Sequence, residues 1–196
     1  MHFETSELYH LYNHGNDGQR IFFSGENYRY FMRCYNKFVT PFADTIAYCL
    51  MPNHFHFLIY TNDRSIENVR IGSLTLTKLS NAIRQLLSTY ASAINKQEGK
   101  SGSLFRQKTK AKLLERSSEN YPLIAFHYTH QNPLLAGLAE KLEDWEFSSY
   151  RDYAGRRDGS LCNVILAKKL INVNWSHFER ESLELYENKK ILASIF

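Results

Sequence analysis

Residues 51–60, MPNHFHFLIY, decide the reading of this chain. Pro52-Asn53 predicts a turn, and the apolar run that follows predicts a strand over His54–Thr61. Side chains alternate faces along a strand, so His54 and His56 emerge together while Phe55 points to the opposite face. Two neighbouring imidazoles can share one metal ion. Their repulsion when charged favours the neutral form that can act as a ligand. The competing reading of the same His-x-His is two half-buried histidines on an ordinary sheet, each with its own hydrogen-bond partner. The rest of the chain weighs between the two.

Working outward, Asp44 to Leu50 predicts the strand that the Pro52-Asn53 turn folds back, so the pair is antiparallel. Glu7 to Asn13, ELYHLYN, predicts a first strand, followed by a turn over His14-Gly15-Asn16-Asp17-Gly18. Ser24 is placed to cap a helix running to about Lys37, with Tyr28, Phe31, Met32 and Tyr35 on one apolar stripe. Asn62 to Gly72 is polar and predicts a loop. From Leu76 the apolar positions Leu79, Ile83, Leu86, Leu87, Tyr90 and Ile94 keep helical spacing, and the helix ends near Lys96. After the break Gly99-Lys100-Ser101-Gly102, Ser103 to Leu114 predicts one more strand. On it the even-numbered Arg106, Lys108, Lys110 and Lys112 share a face. That row is either a solvated edge that resists aggregation or a surface for phosphates. Ser117 is placed to cap a helix to about His130. It is expected to stop by Gln131, because Asn132 precedes Pro133. A short helix capped by Ser148 or Ser149 is expected within Trp145–Gly155, and amphipathic helix, such as Trp175–Lys190, in the tail. Strand, helix, strand, strand, helix, strand is the order of the ferredoxin-like (RRM-like) α+β fold. Its antiparallel sheet carries helices on one face and leaves the other open for a ligand. Residues 1–155 are expected to form the main domain, with 156–196 as its C-terminal helical extension.

At 196 residues and 43% hydrophobic content, the chain has the size and composition of a globular domain. No apolar run reaches transmembrane length and no signal-peptide pattern opens the chain, so a soluble, cytoplasmic protein with no membrane partner is expected. Cys34, Cys49 and Cys162 are odd in number and widely spaced, which predicts reduced core thiols rather than a disulfide frame or zinc site. Ser101 to Arg116 carries Arg106, Lys108, Lys110, Lys112 and Arg116 against Glu115, which accounts for the whole net charge of +4. A local basic surface on an otherwise balanced protein points to a polyanionic partner.

A metal held by two neutral histidines keeps coordination positions free and can act as a Lewis acid on a phosphoryl oxygen. Such a site needs a nucleophile and a third ligand. Tyr128 is the candidate nucleophile. It lies four residues before Asn132 on a predicted helix, so the two share a face, and the Asn132 carbonyl oxygen can join the metal ligands. A phenol with pKa near ~10 is a weak nucleophile unless a cation or base helps remove its proton. Set against this, the chain has 13 tyrosines, most of which must be packing, and an Asn before Pro is an ordinary helix stop. His127 and His130 sit on the same helix and are alternatives to Asn132. Tyr121, two turns before Tyr128, is read as packing.

Four passages give the chain a family look. YHLYNHGNDGQRIFFS, AYCLMPNHFHFLIY, SGSLFRQKTKAKLL, and FHYTHQNPLLAGL followed by WEFSSYRDYAG come in that order over roughly residues 8–155. In this it resembles the single-tyrosine HUH transposases of the IS200-like superfamily, most of all the REP-associated tyrosine transposases. The resemblance implies that His54 and His56, the two histidines of the HUH motif, bind a divalent cation, Mg²⁺ or Mn²⁺. It implies that Tyr128 is the nucleophile and Asn132 the third, amide-type ligand. Tyr128 is then expected to attack a phosphodiester of single-stranded hairpin DNA, giving a 5′-phosphotyrosine link and a free 3′-hydroxyl that can rejoin strands. Arg106, Lys108, Lys110 and Lys112 are the expected DNA-contacting residues. A homodimer is possible in such a family, as is a monomer. Two other readings compete. The same fold could hold RNA or a DNA hairpin without cutting it, or it could be a metal phosphoesterase that uses water and keeps Tyr128 for packing.

Overall fold

The computed structural model describes residues 1–114 and 120–187. Its strands are β1 (Leu8–His14), β2 (Ala43–Met51), β3 (His54–Thr61), β4 (Asn68–Ile71), β5 (Leu74–Thr77) and β6 (Lys110–Leu113). Its helices are α1 (Gly25–Phe38), α2 (Lys78–Gln97), α3 (Asn120–Leu135), α4 (Tyr150–Tyr153), α5 (Val164–Leu170) and α6 (Phe178–Glu187). The main sheet has the order β2-β3-β1-β6, with every neighbouring pair antiparallel. The fold is therefore mixed α+β around an antiparallel sheet of four strands. β3 is internal and covered on both faces. This explains why its apolar run is continuous where a half-buried strand would alternate.

Local chemistry sets the first helices. The Asn27 side chain accepts from the backbone N–H groups of Phe23 and Ser24, tying down the start of α1. Thr77 accepts from Ser80 N–H at the start of α2. Both helices bury apolar stripes against one sheet face. There Phe31 and Tyr35 of α1 and Leu79, Ile83, Leu86 and Tyr90 of α2 meet Tyr9, Leu11, Phe55 and Phe57. Tyr35 lies flat on Phe57 with ring centroids 4.0 Å apart and hydrogen-bonds Thr45 through its hydroxyl. All three cysteines are free and buried, as expected.

The opposite face is not open, and here the expectation of helices on one face needs correction. α3 packs across it, setting Ala125 and Phe126 against Leu8, Ile46, Ala47 and Leu58. α5 and α6 complete this second core through Ala167, Ile171 and Phe178. An antiparallel sheet that is apolar on both faces must bury both, and Ile46, Ala47 and Leu58 supply the second apolar surface.

Three boundaries also differ from the sequence reading. Asn62–Gly72 is not all loop, since β4 and β5 form a hairpin about Gly72-Ser73, with Gly72 at φ +60°. The strands are mostly exposed on both sides, so no apolar alternation announced them. The strand expected over Ser103–Leu114 is confined to Lys110–Leu113. Phe105 makes an isolated bridge to Gly15, and the residues between loop out. That loop is pinned by Asn13, which donates to the Arg106 carbonyl and to Thr109. Only Lys110 and Lys112 therefore keep the strand's alternation. Finally, α3 does not stop at Gln131 but runs through Pro133 to Leu135. The proline sits in the last turn, where its missing N–H removes a single bond. The helix ends instead at Gly137, φ +66°, with Leu138 N–H bonding the Pro133 carbonyl and Gly137 N–H the Leu134 carbonyl. Ser117, and the end of the tail helix at Lys190, lie outside the described residues.

His127 and His130 belong to the second core. His127 Nδ1 bonds Ser182 Oγ at 2.9 Å and His130 Nε2 bonds Ser149 Oγ at 2.7 Å. Burial pushes His127 down to about 4 and His130 well below the usual histidine value. Both rings are neutral in the fold, so below the ordinary histidine range the unfolded chain binds protons that the folded one does not. Stability is then complete above about pH 6.5 and is lost as the pH falls toward the folded values, by up to about 1.4 kcal/mol per pH unit for each ring. The midpoint of urea unfolding is expected to drop between about pH 7.5 and about pH 5, and less steeply in His130→Gln. A midpoint that stays constant over that range excludes buried neutral rings. Phe57→Ala, which empties the stack beneath Tyr35, is expected to cost about 3–5 kcal/mol in the same measurement at neutral pH.

Candidate active site

The register between β1 and β3 builds one face of the site. Tyr12 pairs with His56 and His14 with His54, so His10, Tyr12 and His14 share the sheet face of the two β3 histidines. His14 stacks on His54 with centroids 4.8 Å apart, and His54 stands perpendicular to His56 at 5.0 Å. His10 Nε2 lies 2.8 Å from His56 Nδ1. The turn before β3 also contributes. His54 Nδ1–H donates to the Asn53 side-chain oxygen at 2.7 Å, which puts the proton on Nδ1 and the lone pair on Nε2.

α3 closes the site from above. The Tyr128 ring meets His56 edge to face at 5.7 Å. Asn132, one turn on, donates from Nδ2 to the Tyr128 carbonyl at 2.8 Å and reaches His54, whose charged form it supports. Because α3 continues past Gln131, Tyr128 and Asn132 share a helix face and descend on the same spot. The resulting cleft, about 440 Å³, is lined by His10, Tyr12, His14, His54, His56, Tyr128 and Asn132, with Met51, Leu135 and Ala136 at its edge.

Burial lowers the pKa of every imidazole in the cleft. His54 is pushed down to about 4 by burial and then by His14. His56 is held well below the usual value by burial, then by His10, His54 and His14. His10 goes down to about 3 through burial and the nearby Lys112 ammonium, and His14 is lowered by burial and Arg106. The Tyr128 phenol moves the other way, raised by burial and by Tyr12 and Cys49. At neutral pH the cleft thus presents basic lone pairs beside a protonated, weakly nucleophilic phenol.

This donor set suits a divalent cation. His56 is buried, yet its Nε2 has no hydrogen-bond partner among the described residues. An unmet buried nitrogen is costly unless something is bound there. Among the described residues, no three His, Cys, Asp or Glu side chains are grouped to hold a metal. Beside the two β3 histidines, the cleft is also lined by the Asn132 amide, which could serve as a further ligand. His127 and His130, the alternatives to Asn132, point away into the second core with Ser182 and Ser149 as partners. Tyr121 is also clear of the cleft, packed on the second core beneath the Lys112 ammonium.

Of the four basic residues expected to contact DNA, Lys110 and Lys112 pair with Tyr12 and His10 and so share the sheet face of the cleft. Arg106 and Lys108 stand on the looped segment instead. They rim a separate groove of about 730 Å³ between that loop and α2, whose walls include Arg84, Leu87, Leu104 and Phe105. The sequence reading missed His10, Tyr12 and His14. His10 and Tyr12 lay two apart in a strand already identified, whereas His14, read as the start of the turn, is the last residue of β1.

No protein-family model and no curated protein matches the chain. Among solved structures, the chain is similar to a REP-associated tyrosine transposase bound to a REP hairpin. The match has a TM-score of 0.56 and 12% identity over 80% of this chain and 84% of the other. The two proteins thus share a fold, and it is the fold of a REP-associated tyrosine transposase.

Proposed function

We propose that the chain is a metal-dependent endonuclease and strand transferase of single-stranded hairpin DNA. Its scaffold in this reading is a ferredoxin-like (RRM-like) sheet, in which β6 takes the fourth-strand position and the β4–β5 hairpin is an insertion. The strand order β2-β3-β1-β6, with α1 and α2 on one face, supports that scaffold. The observation that carries the functional reading is the convergence of His54, His56, Tyr128 and Asn132 on one cleft, although the first pair and the second stand far apart in the chain. The fold of the hairpin-bound transposase agrees with it.

His54, His56 and Asn132 would hold the cation, Mg²⁺ or Mn²⁺, which when bound supplies Lewis-acid polarisation of a phosphoryl oxygen. Imidazole donors leave the choice between the two ions open. The hydroxyl oxygen of Tyr128 attacks phosphorus, and the bond to the 3′ oxygen breaks. The 5′-phosphate stays on the tyrosine and a 3′-hydroxyl is released. Attack by a 3′-hydroxyl on that phosphotyrosine reverses the step and joins strands. The raised phenol pKa makes loss of its proton the demanding event. Lys110 and Lys112, on the cleft's sheet face, are placed to track the phosphates, with Arg106 and Lys108 extending that surface beyond the strand. The protonated phenol also favours a second reading, in which the chain binds hairpin DNA without cutting it.

A labelled single-stranded hairpin incubated with protein and Mn²⁺ separates the readings. The transferase gives a covalent protein–DNA band on a denaturing gel, and Tyr128→Phe abolishes it. A native-gel shift without cleavage supports the binding module, and cleavage that survives Tyr128→Phe supports a water-using phosphoesterase. In a second measurement, Lys108→Ala and Lys110→Ala are each expected to weaken hairpin binding. Each is also expected to lower the slope of log affinity against log salt by about 0.7 for every phosphate charge left unneutralised. Unchanged affinity and slope remove these lysines from the binding surface.

A further inference from the structure

His10 has no role in the reading above, yet it is wholly buried and its ring hydrogen-bonds a candidate metal ligand. It sits on β1, diagonally across from His56, with Leu58 directly opposite on one side and Lys112 on the other. The 2.8 Å contact joins His10 Nε2 to His56 Nδ1. Two neutral imidazoles in such contact share one proton, so one nitrogen donates and the other accepts. The direction matters, because the proton of a neutral imidazole can sit on only one nitrogen. If His10 donates, His56 carries its own proton on Nε2. That would aim a fully buried N–H into a cleft whose lining contains no carboxylate. If His56 donates, its Nε2 becomes a lone pair facing the cleft beside His54, whose lone pair is placed on Nε2 in the same way by Asn53.

We propose that His10 is a positioning residue for His56: His10 Nε2 accepts the His56 Nδ1 proton and so fixes His56 as the tautomer whose Nε2 lone pair faces the cleft. The inference rests on the metal-binding reading for its purpose, but the tautomer itself can be observed without metal. Asn53 on His54 and His10 on His56 are then equivalent devices. Each side chain takes the Nδ1 proton of one β3 histidine, orients its ring and raises its basicity toward a cation. A strand alone would fix where the two rings emerge but not which nitrogen each one presents.

The test uses the full chain. Long-range ¹⁵N–¹H correlation spectra of the metal-free protein near neutral pH report which imidazole nitrogen carries the proton. His56 is expected in the Nδ1–H form, whereas a His56 in the Nε2–H form overturns the proposal. Mn²⁺ affinity, followed by electron paramagnetic resonance without DNA, supplies the second readout. His10→Phe keeps a ring but has no acceptor, and is expected to weaken Mn²⁺ binding about 10–100-fold. His10→Gln, whose side-chain oxygen can accept the same proton, is expected to retain most of it. If His10→Phe does not fold, the wild-type spectrum and His10→Gln still decide. Equal Mn²⁺ affinity in wild type and a folded His10→Phe overturns the proposal. Wild-type protein that shows the Nδ1–H tautomer but binds no Mn²⁺ upholds the positioning of His56 and overturns the metal reading instead.

Discussion

The antiparallel register of β1 against β3 is the constraint on which the site depends. With Tyr12 opposite His56 and His14 opposite His54, three β1 side chains join two β3 histidines on one face. A slip of one residue would send His10, Tyr12 and His14 into the α1–α2 core and bring Leu11 and Tyr9 to the cleft. That core protects the register. Leu11, Phe55 and Phe57 are wholly buried against α1 and α2, so any slip would exchange apolar packing for imidazoles. The chemistry of one sheet face is thus held in place by hydrophobic burial on the other.

The same face had to meet α3. Ile46, Ala47 and Leu58 give the sheet a second apolar surface at one end, and the histidines make the other end polar. α3 follows this division along its length. Ala125 and Phe126 pack on the apolar end, while Tyr128 and Asn132 stand over the polar end. The turn from packing to site falls within one helix, and His127 and His130 rotate away to bond Ser182 and Ser149. Geometry therefore separates the three polar residues near the end of α3 by the side they face. Facing the cleft, rather than being able to bind metal, separates Asn132 from its two histidine neighbours.

Much of this was legible in the sequence, and the failures have common physical causes. β3 was readable to the residue because a Pro-Asn turn and a continuous apolar run bound it on a side where nothing else competes. α1 and α2 were readable because their apolar stripes keep helical spacing against one surface. The β4–β5 hairpin was not, since strands exposed on both sides carry no alternation to detect. The end of α3 was misjudged because the rule about residues before proline is a local preference. The capping bonds around Gly137 and the packing of α3 on the sheet outweigh it. The β1 histidines were overlooked for a different reason. Their strand was identified only as far as Asn13, and which strand lies beside β3 is a long-range fact that no local pattern in ELYHLYNH contains.

Covering the second face changes what the site can admit. An open sheet face could receive a duplex broadside, but the cleft between β1, β3 and α3 is about 440 Å³, the size of a small-molecule pocket. Under the proposed reading, only an unpaired stretch of backbone fits beneath Tyr128, and any duplex part must stay outside, where the cations are. The charge distribution agrees. The cleft itself is built from neutral groups, whereas Arg106, Lys108 and Lys110 stand exposed along the sheet edge and the loop beside it. Neutral imidazoles inside keep lone pairs available for a cation. Ammonium and guanidinium groups outside attract phosphates without competing for that position. In the proposed reading, separating the two kinds of nitrogen by burial would let one sheet edge gather a polyanion while the adjoining cleft keeps its lone pairs for a metal ion.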